Sequence, residues 1–325
     1  MSFTNFPNGV TSFGVPIMGG VNLPAPYGSG KGLIVDADHV SSVEGAYSTI
    51  QAAINAAGPG DVIMVWPRLI TDGDTDPGSY AETLVVDSDQ ENLAIIGMSR
   101  GHTQGGLPQI KIGSGSTPML ELNTGNVMIA NLCFNGAGST GGGIRFDSTD
   151  SAPLTDAFGA AITNCHFKNM KASGNASTGG AIFWNTNGGA WYQSIYGNTF
   201  FDCRAGIVLT GTSISVPRQI LIQDNAFWSA ANTTVDADIY LAGGSGITGL
   251  VINRCVFGTV DVPAYATSPA AARYLDLTNC LGGILSNSVF ACTGKTFGAA
   301  GNAALVPTTV RMAANYQEDA IITRT

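Results

Sequence analysis

Six times in this 325-residue chain an aliphatic residue is followed five positions later by phenylalanine. The pairs are Ile129/Phe134, Ile162/Phe167, Ile195/Phe200, Ile222/Phe227, Ile252/Phe257 and Leu285/Phe290, and the phenylalanines lie 33, 33, 27, 30 and 33 residues apart. An internal period of this size marks a solenoid. Each unit is short, apolar in alternation and polar at its turn, so it cannot bury its own apolar face and must stack on its neighbours.

The units read as strands. Isoleucine, valine and phenylalanine suit a pleated surface, and apolar residues alternate, as in Ile162, Cys165 and Phe167. Glycine precedes several further strands, at Gly143, Gly180 and Gly206. Asparagine or aspartate follows the aliphatic position in five of the six units, at Asn131, Asn164, Asn198, Asp224/Asn225 and Asn287. Such residues tolerate the left-handed backbone of a sharp turn, and stacked rung on rung they would form an amide ladder. Arg254 breaks this pattern and is expected where the ladder stops. An antiparallel sandwich would also space its turns regularly, but it does not explain one local pattern reused near every thirtieth residue. The fold expected is all-β, a β-solenoid, with Phe134, Phe167, Phe200, Phe227, Phe257 and Phe290 as its core stack.

The segment before the repeats fits the same architecture. Residues 48–57 predict a short capping helix, with Ser48 or Thr49 as its cap and Ile50 and Ile54 on one face. Gly58-Pro59-Gly60-Asp61 ends it, and Val62 to Pro67, Tyr80 to Val86 and Asn92 to Gly97 read as strands. The run TIQAAINAAGPGDVIMVWP, followed by YAETLVV and NLAIIG, resembles the entry to the right-handed parallel β-helix of the pectin lyase-like superfamily. With the later I-x-N-x-x-F units, the resemblance covers about residues 31 to 300. It implies that fold with a helical cap and says little of activity, because the superfamily spans lyases, esterases, hydrolases and non-catalytic viral proteins.

Composition narrows the partners. A net charge of −9 argues against nucleic acid, and the aliphatic runs are too short and interrupted to span a membrane. The first residues show neither a positive n-region nor an apolar h-region, so synthesis in a cytoplasm with reduced thiols is expected. Cys133, Cys165, Cys203, Cys255 and Cys292 flank the repeat phenylalanines, where free cysteine acts as a small apolar residue. No CxxC pair or His/Cys cluster points to a metal, and no cofactor is expected.

Residues 1–30 contain no Asp, Glu, Lys, Arg or His, yet carry Phe3, Phe6, Phe13, Tyr27, Val10, Val15, Ile17 and Met18. Their prolines and glycines exclude a helix or a long central strand. Two readings remain open here: a segment folded back over the solenoid flank, or an arm lying extended on a partner. The second accounts for the spaced aromatics, since backbone pairing supplies affinity and side chains supply specificity. Phe6-Pro7-Asn8-Gly9-Val10-Thr11, continuing through Phe13-Gly14-Val15-Pro16, resembles the opening of structural proteins encoded in the head gene clusters of tailed bacteriophages. The resemblance implies a virion protein without a catalytic site, most simply a capsid decoration or cement protein on the outer head surface. Its partner would be the major capsid protein, and its anchor Phe3, Phe6, Pro7, Asn8, Val10, Phe13, Val15, Pro16 and Ile17. By analogy with other β-helical virion proteins a homo-oligomer is expected, a trimer in particular.

The alternative is a tail spike or fibre that binds or depolymerises host surface polysaccharide. Cleaving a glycosidic bond takes two carboxylates placed across it. Asp147, Asp150, Asp202, Asp224, Asp236 and Asp238 are the candidates, but their spacing does not show convergence and solvated turn positions account for them better. The usual pectate lyase, polygalacturonase and pectin esterase signatures are absent. Asp72, Asp74 and Asp76 resemble a calcium loop only loosely, because the twelfth residue from Asp72 is Thr83 rather than glutamate. The organisation expected is an arm at 1–30, a β-helix body at 31–302 and a β-prone tail at 303–325.

Overall fold

The computed structural model describes residues 10–12, 15–18, 21–22, 30–39, 46–69, 78–99, 106–111, 117–136, 142–146, 157–170, 180–184, 191–209, 218–229, 237–241, 246–259, 273–291, 297–298, 304–317 and 320–321. Within them, three long sheets are laid side by side, and each turn of the chain adds one short strand to each sheet. Sheet one runs from Gly32–Val35 through Val62–Val65, Ala94–Gly97 and Met128–Ala130 up to Gly283–Ser286 and Val310–Ala313. Sheet two climbs from Ser79–Tyr80 through Cys133–Asn135 and Thr199–Phe201 to Tyr316–Gln317, and sheet three from Leu84–Val86 through Ile144–Phe146 to Ala304–Leu305. Pairing between successive rungs is parallel, as in Met128–Ala130 on Ala161–Thr163. This is the parallel β-helix.

The core is three aligned columns, one per sheet. In sheet one Ile129, Ile162, Ile195, Ile222, Ile252 and Leu285 are in register and buried. In sheet three Ile144, Ile182, Ile207, Ile239 and Leu275 do the same. In sheet two the six repeat phenylalanines form one stack, with neighbouring ring centroids 4.5–5.1 Å apart and planes within 10°. The rung spacing of a sheet, about 4.8 Å, is also a comfortable ring separation, so backbone pairing and ring contact reinforce each other. The five-residue Ile-to-Phe spacing is the path round one corner, from the centre of one short strand to the centre of the next.

That corner divides its work between two adjacent positions. The residue two after the aliphatic one is left-handed: Asn131, Asn164, Asp224, Arg254, Asn287 and Ala314 have φ of 50–55°, and Gly197 has 67°. The residue after that points inward. Asn198, Asn225 and Asn315 each donate from Nδ2 to the carbonyl of the repeat aliphatic residue one rung below, at 3.0, 2.9 and 2.9 Å. Their Oδ1 atoms accept the backbone N–H of Cys165, Asn198 and Ser288 at 2.9, 2.9 and 3.1 Å. The single ladder expected from sequence is therefore two columns. Asn131, Asn164, Asp224 and Asn287 make the turn, while Asn198 and Asn225 make the buried ladder. Nor does the pattern stop at Arg254. It holds the left-handed turn, and Cys255 beside it occupies the ladder position with its N–H on Ser288 Oγ at 3.2 Å.

The N-terminal opening is closed by a helix at Ile50–Ala56. Thr49 Oγ1 accepts from Ala52 N, and both Glu82 carboxylate oxygens accept from Ile50 N and Gln51 N at 2.9 Å. The helix N-terminus thus gains three acceptors for its free N–H groups, two of them charged. Ile50, Ala53 and Ile54 turn inward onto the core. Gln51 bonds both the N–H and the carbonyl of Val85, which lies on the outermost strand of sheet three, so one side chain stands in for the rung that is not there. Asp61 accepts from Lys31 N and Gly58 N at 2.7 and 2.8 Å, and Tyr80 donates to the Trp66 carbonyl at 2.7 Å. Burial pushes the Tyr80 hydroxyl pKa up to about 12.

Two expected spans are corrected. Tyr80 to Val86 is not one strand: Ser79–Tyr80 belongs to sheet two and Leu84–Val86 to sheet three, with the Glu82 clamp at the corner between. From Ala304 to Gln317 the chain does not leave the repeat, and only Ala320–Ile321 departs from it, pairing antiparallel with Tyr316–Gln317. Ala304–Leu305, Val310–Ala313 and Tyr316–Gln317 add a further rung, in which Met312 lies over Leu285 and Gln317 is in register with Phe290. At Gly143 and Gly206 a Cβ would fall 2.3 and 2.5 Å from the carbonyl oxygens of Ala181 and Asp238, so only glycine fits where these rungs meet.

The Phe column gives a direct stability test. Phe167→Ala removes the ring between Phe134 and Phe200 and should lower unfolding free energy by about 3–5 kcal/mol through cavity formation. Urea titration followed by circular dichroism measures it, and a loss below about 1 kcal/mol would be incompatible with a packed column.

Candidate functional site

The anchor expected at the N-terminus falls partly outside the described residues: Phe3, Phe6, Pro7, Asn8 and Phe13 are there. Val10, Val15, Pro16 and Ile17 lie in a separate three-stranded antiparallel sheet, Val10–Ser12, Val15–Met18 and Val21–Asn22, with Val10 opposite Ile17 and Ile17 opposite Asn22. Over these residues the arm is a small meander rather than one extended strand. Pro16 is accommodated because only Ile17 and Met18 of its strand pair with Val21–Asn22, so on that side Pro16 lies at an open edge. Among the described residues, no strand of this meander pairs with the three solenoid sheets.

The three candidate carboxylates among the described residues, Asp202, Asp224 and Asp238, do not converge. Asp147, Asp150, Asp236, Asp72, Asp74 and Asp76 lie outside the described residues. Asp224 sits at the corner between sheets one and two, and Asp202 at the corner between sheets two and three, both left-handed. Asp238 is buried in the sheet-three strand Ala237–Tyr240. Arg254 Nε and Nη2 each donate to Asp224 at 2.6 Å, and these bonds, with a third from Gln223, hold its carboxyl below the usual carboxylate range. The pair joins neighbouring left-handed corners across one rung. On the outer face of sheet three, Arg145 Nη2 meets Glu121 Oε2 at 2.6 Å, likewise across one rung. With Asp61 and Glu82 engaged as clamps at the N-terminal end, each of these acidic groups has a structural partner. Among the described residues no three His, Cys, Asp or Glu side chains gather into a metal-holding group.

A second left-handed column went unread in the sequence. Three residues before each aliphatic position, Asn92, Asn126, Tyr192 and Gln219 have φ of 54–62°, and Gly60, Gly159 and Gly249 share the region. Tyr192 and Gln219 are unusual there, since bulky residues in this conformation cost on the order of 1–3 kcal/mol each. Both line a hollow of about 380 Å³ with Trp191, Arg218, Thr248 and Gly249. The Arg218 guanidinium lies 5.4 Å from the Trp191 ring, and Tyr192 meets Phe158 edge-on at 5.1 Å. The available signal was tyrosine and glutamine standing where other units place asparagine or glycine.

Cys133, Cys165, Cys203, Cys255 and Cys280 are reduced thiols, all buried. Burial pushes the Cys165, Cys255 and Cys280 thiols up to about 12. Cys292 lies outside the described residues.

No known family model matches the chain, and no curated protein matches it either. Solved structures do. A pectin methylesterase from Aspergillus niger is 14% identical over 88% of this chain and 85% of that one, with a TM-score of 0.48. The Streptococcus pneumoniae surface protein and adhesin PfbA is 11% identical over 79% of this chain and 82% of that one, with a TM-score of 0.40. The fold of this chain rests on its own strand pairing. The likeness decides nothing about activity here.

Buried, high-pKa thiols are poor nucleophiles. With Cys292→Ser, native protein at pH 8 should show no thiol reactive with Ellman's reagent, and five should appear in guanidinium. Rapid modification of even one in the native state would contradict the burial described.

Proposed function

We propose that this protein is a non-enzymatic structural component of a tailed-phage virion, a decoration or cement protein held on the major capsid protein by its N-terminal segment. The observation that carries this reading is the separation of that segment from the solenoid. In the uncharged, aromatic-bearing stretch of residues 1–30, the described strands Val10–Ser12, Val15–Met18 and Val21–Asn22 form a small sheet of their own, and none of them pairs with the three solenoid sheets. The resemblance of residues 6–16 to phage head proteins points the same way. Support comes also from the body: Asp202, Asp224 and Asp238 stand at different places around the rung, unlike a pair set across one scissile bond. A stack of in-register rungs, capped at the N-terminal end, suits a particle exterior, where resistance to unfolding matters more than motion.

A tail spike or fibre that binds host polysaccharide is the second reading. The hollow beside Trp191, Tyr192 and Arg218 favours it, since aromatic faces and planar cations suit sugar rings.

Co-sedimentation with head shells lacking this protein separates the two. A variant beginning at residue 31 should stay folded and lose binding, and full-length Phe6→Ala/Phe13→Ala should bind more weakly. Burying large apolar side chains contributes on the order of 1.5–3 kcal/mol each before ordering costs. Because residues 1–30 carry no charge, wild-type binding should change little with salt. Undiminished binding by the shortened chain would remove the anchor role, and turnover of a surface polysaccharide would favour the spike.

A further inference from the structure

The outer face of sheet two changes character along the solenoid. In its lower rungs it is polar: Gln109 and Asn135 are buried, and His166 Nδ1 lies 2.6 Å from Thr199 Oγ1. From Thr199 upward, the outward positions form two columns with no charged residue. One column is Thr199, Ala226, Val256 and Val289. The other, two residues along each strand, is Phe201, Trp228, Gly258 and then Ala291, whose N–H pairs with the Phe257 carbonyl. Trp228, Val256 and Val289 are 50%, 40% and 39% exposed.

We propose that this face binds a second copy of the same chain. This inference does not depend on the virion reading. Three features argue for a copy rather than another partner. The chain carries −9 net charge, so copies repel unless they meet on a neutral surface, and this face is neutral over four rungs. The surface is ridged at the rung spacing, and a copy brings the same ridges. Most specifically, bulk and hollow form a checkerboard. Phe201 and Trp228 are bulky beside small Thr199 and Ala226; one step up, Val256 and Val289 are bulky beside small Gly258 and Ala291. A two-fold axis lying in the face, whether along the solenoid or across it, sets every bulky quadrant against a small one. A contact of this isologous kind needs self-complementarity, which the checkerboard supplies. A three-fold arrangement brings unlike surfaces together and makes no use of it, so the pairing departs from the trimer expected by analogy.

The test is analytical ultracentrifugation of the full-length protein from low to high micromolar concentration. The expected mass is twice the 33.4 kDa of the chain. Trp228→Asp and Val289→Asp should each weaken association by more than about tenfold, because pairing would desolvate an unpaired charge. Ala291→Trp should block pairing without adding charge, by filling a hollow quadrant. All three sites are exposed, so urea midpoints should match wild type and show that the body is intact. A monomer at every concentration, a three-chain mass, or a dimer indifferent to these variants would overturn the proposal. So would a Trp228→Asp protein that keeps its mass but loses co-sedimentation with head shells, since the face would then belong to the shell contact.

Discussion

Each strand of this solenoid borrows its hydrogen bonds from the rungs above and below, and everything else follows from keeping those rungs in register. A three-residue strand makes too few bonds to persist alone. Stacked in parallel, it gains a full set on both edges, and each inward side chain lands on its equivalent one rung away. The Phe column shows the result, with five successive ring contacts at nearly constant spacing and tilt. The buried asparagines do for the corners what the rings do for the strands. Each satisfies a carbonyl below and an N–H that would otherwise be orphaned in the core.

The same requirement explains where the polar residues went. A stack has two ends, and an uncapped end exposes strand edges and apolar side chains. Glu82, Gln51, Asp61 and Tyr80 close the first end, and their carboxylate, amide and hydroxyl groups are consumed in doing so. Residues that look like chemistry in a motif search are here the fastenings of a lid. Asp224 with Arg254 and Glu121 with Arg145 are rung-to-rung ties on the outside, modest individually because they are partly solvated.

Much of this was legible in advance, and the exceptions have identifiable causes. Isoleucine and phenylalanine recur because their neighbours in space are copies of themselves, so the core wrote its own period into the chain. The last rung escaped notice because methionine and glutamine replace the aliphatic and aromatic residues at its edge position, Met312 over Leu285 and Gln317 in register with Phe290. The second left-handed column was hidden by its mixed composition of glycine, asparagine, tyrosine and glutamine. Asparagines at neighbouring positions were pooled into one ladder because a one-residue offset reverses the direction of the side chain, which identity alone does not reveal. Arg254 looked like an interruption because a left-handed arginine is rare, yet its ion pair with Asp224 lies along the same column.

What the amino-acid sequence determined by itself is the rung: short strands, a tight polar corner, an aliphatic and an aromatic core position, and a helix to begin the stack. These are local patterns repeated near every thirtieth residue, and repetition makes them readable. What only the tertiary structure decided is which outward residues stand together. Trp228 and Gly258, or Trp191 and Arg218, are neighbours because parallel pairing sets successive rungs in register although their spacing along the chain is unequal. The outer surface carries no repeating constraint from the core, so its bulky, hollow and neutral regions took shape only when the rungs were stacked.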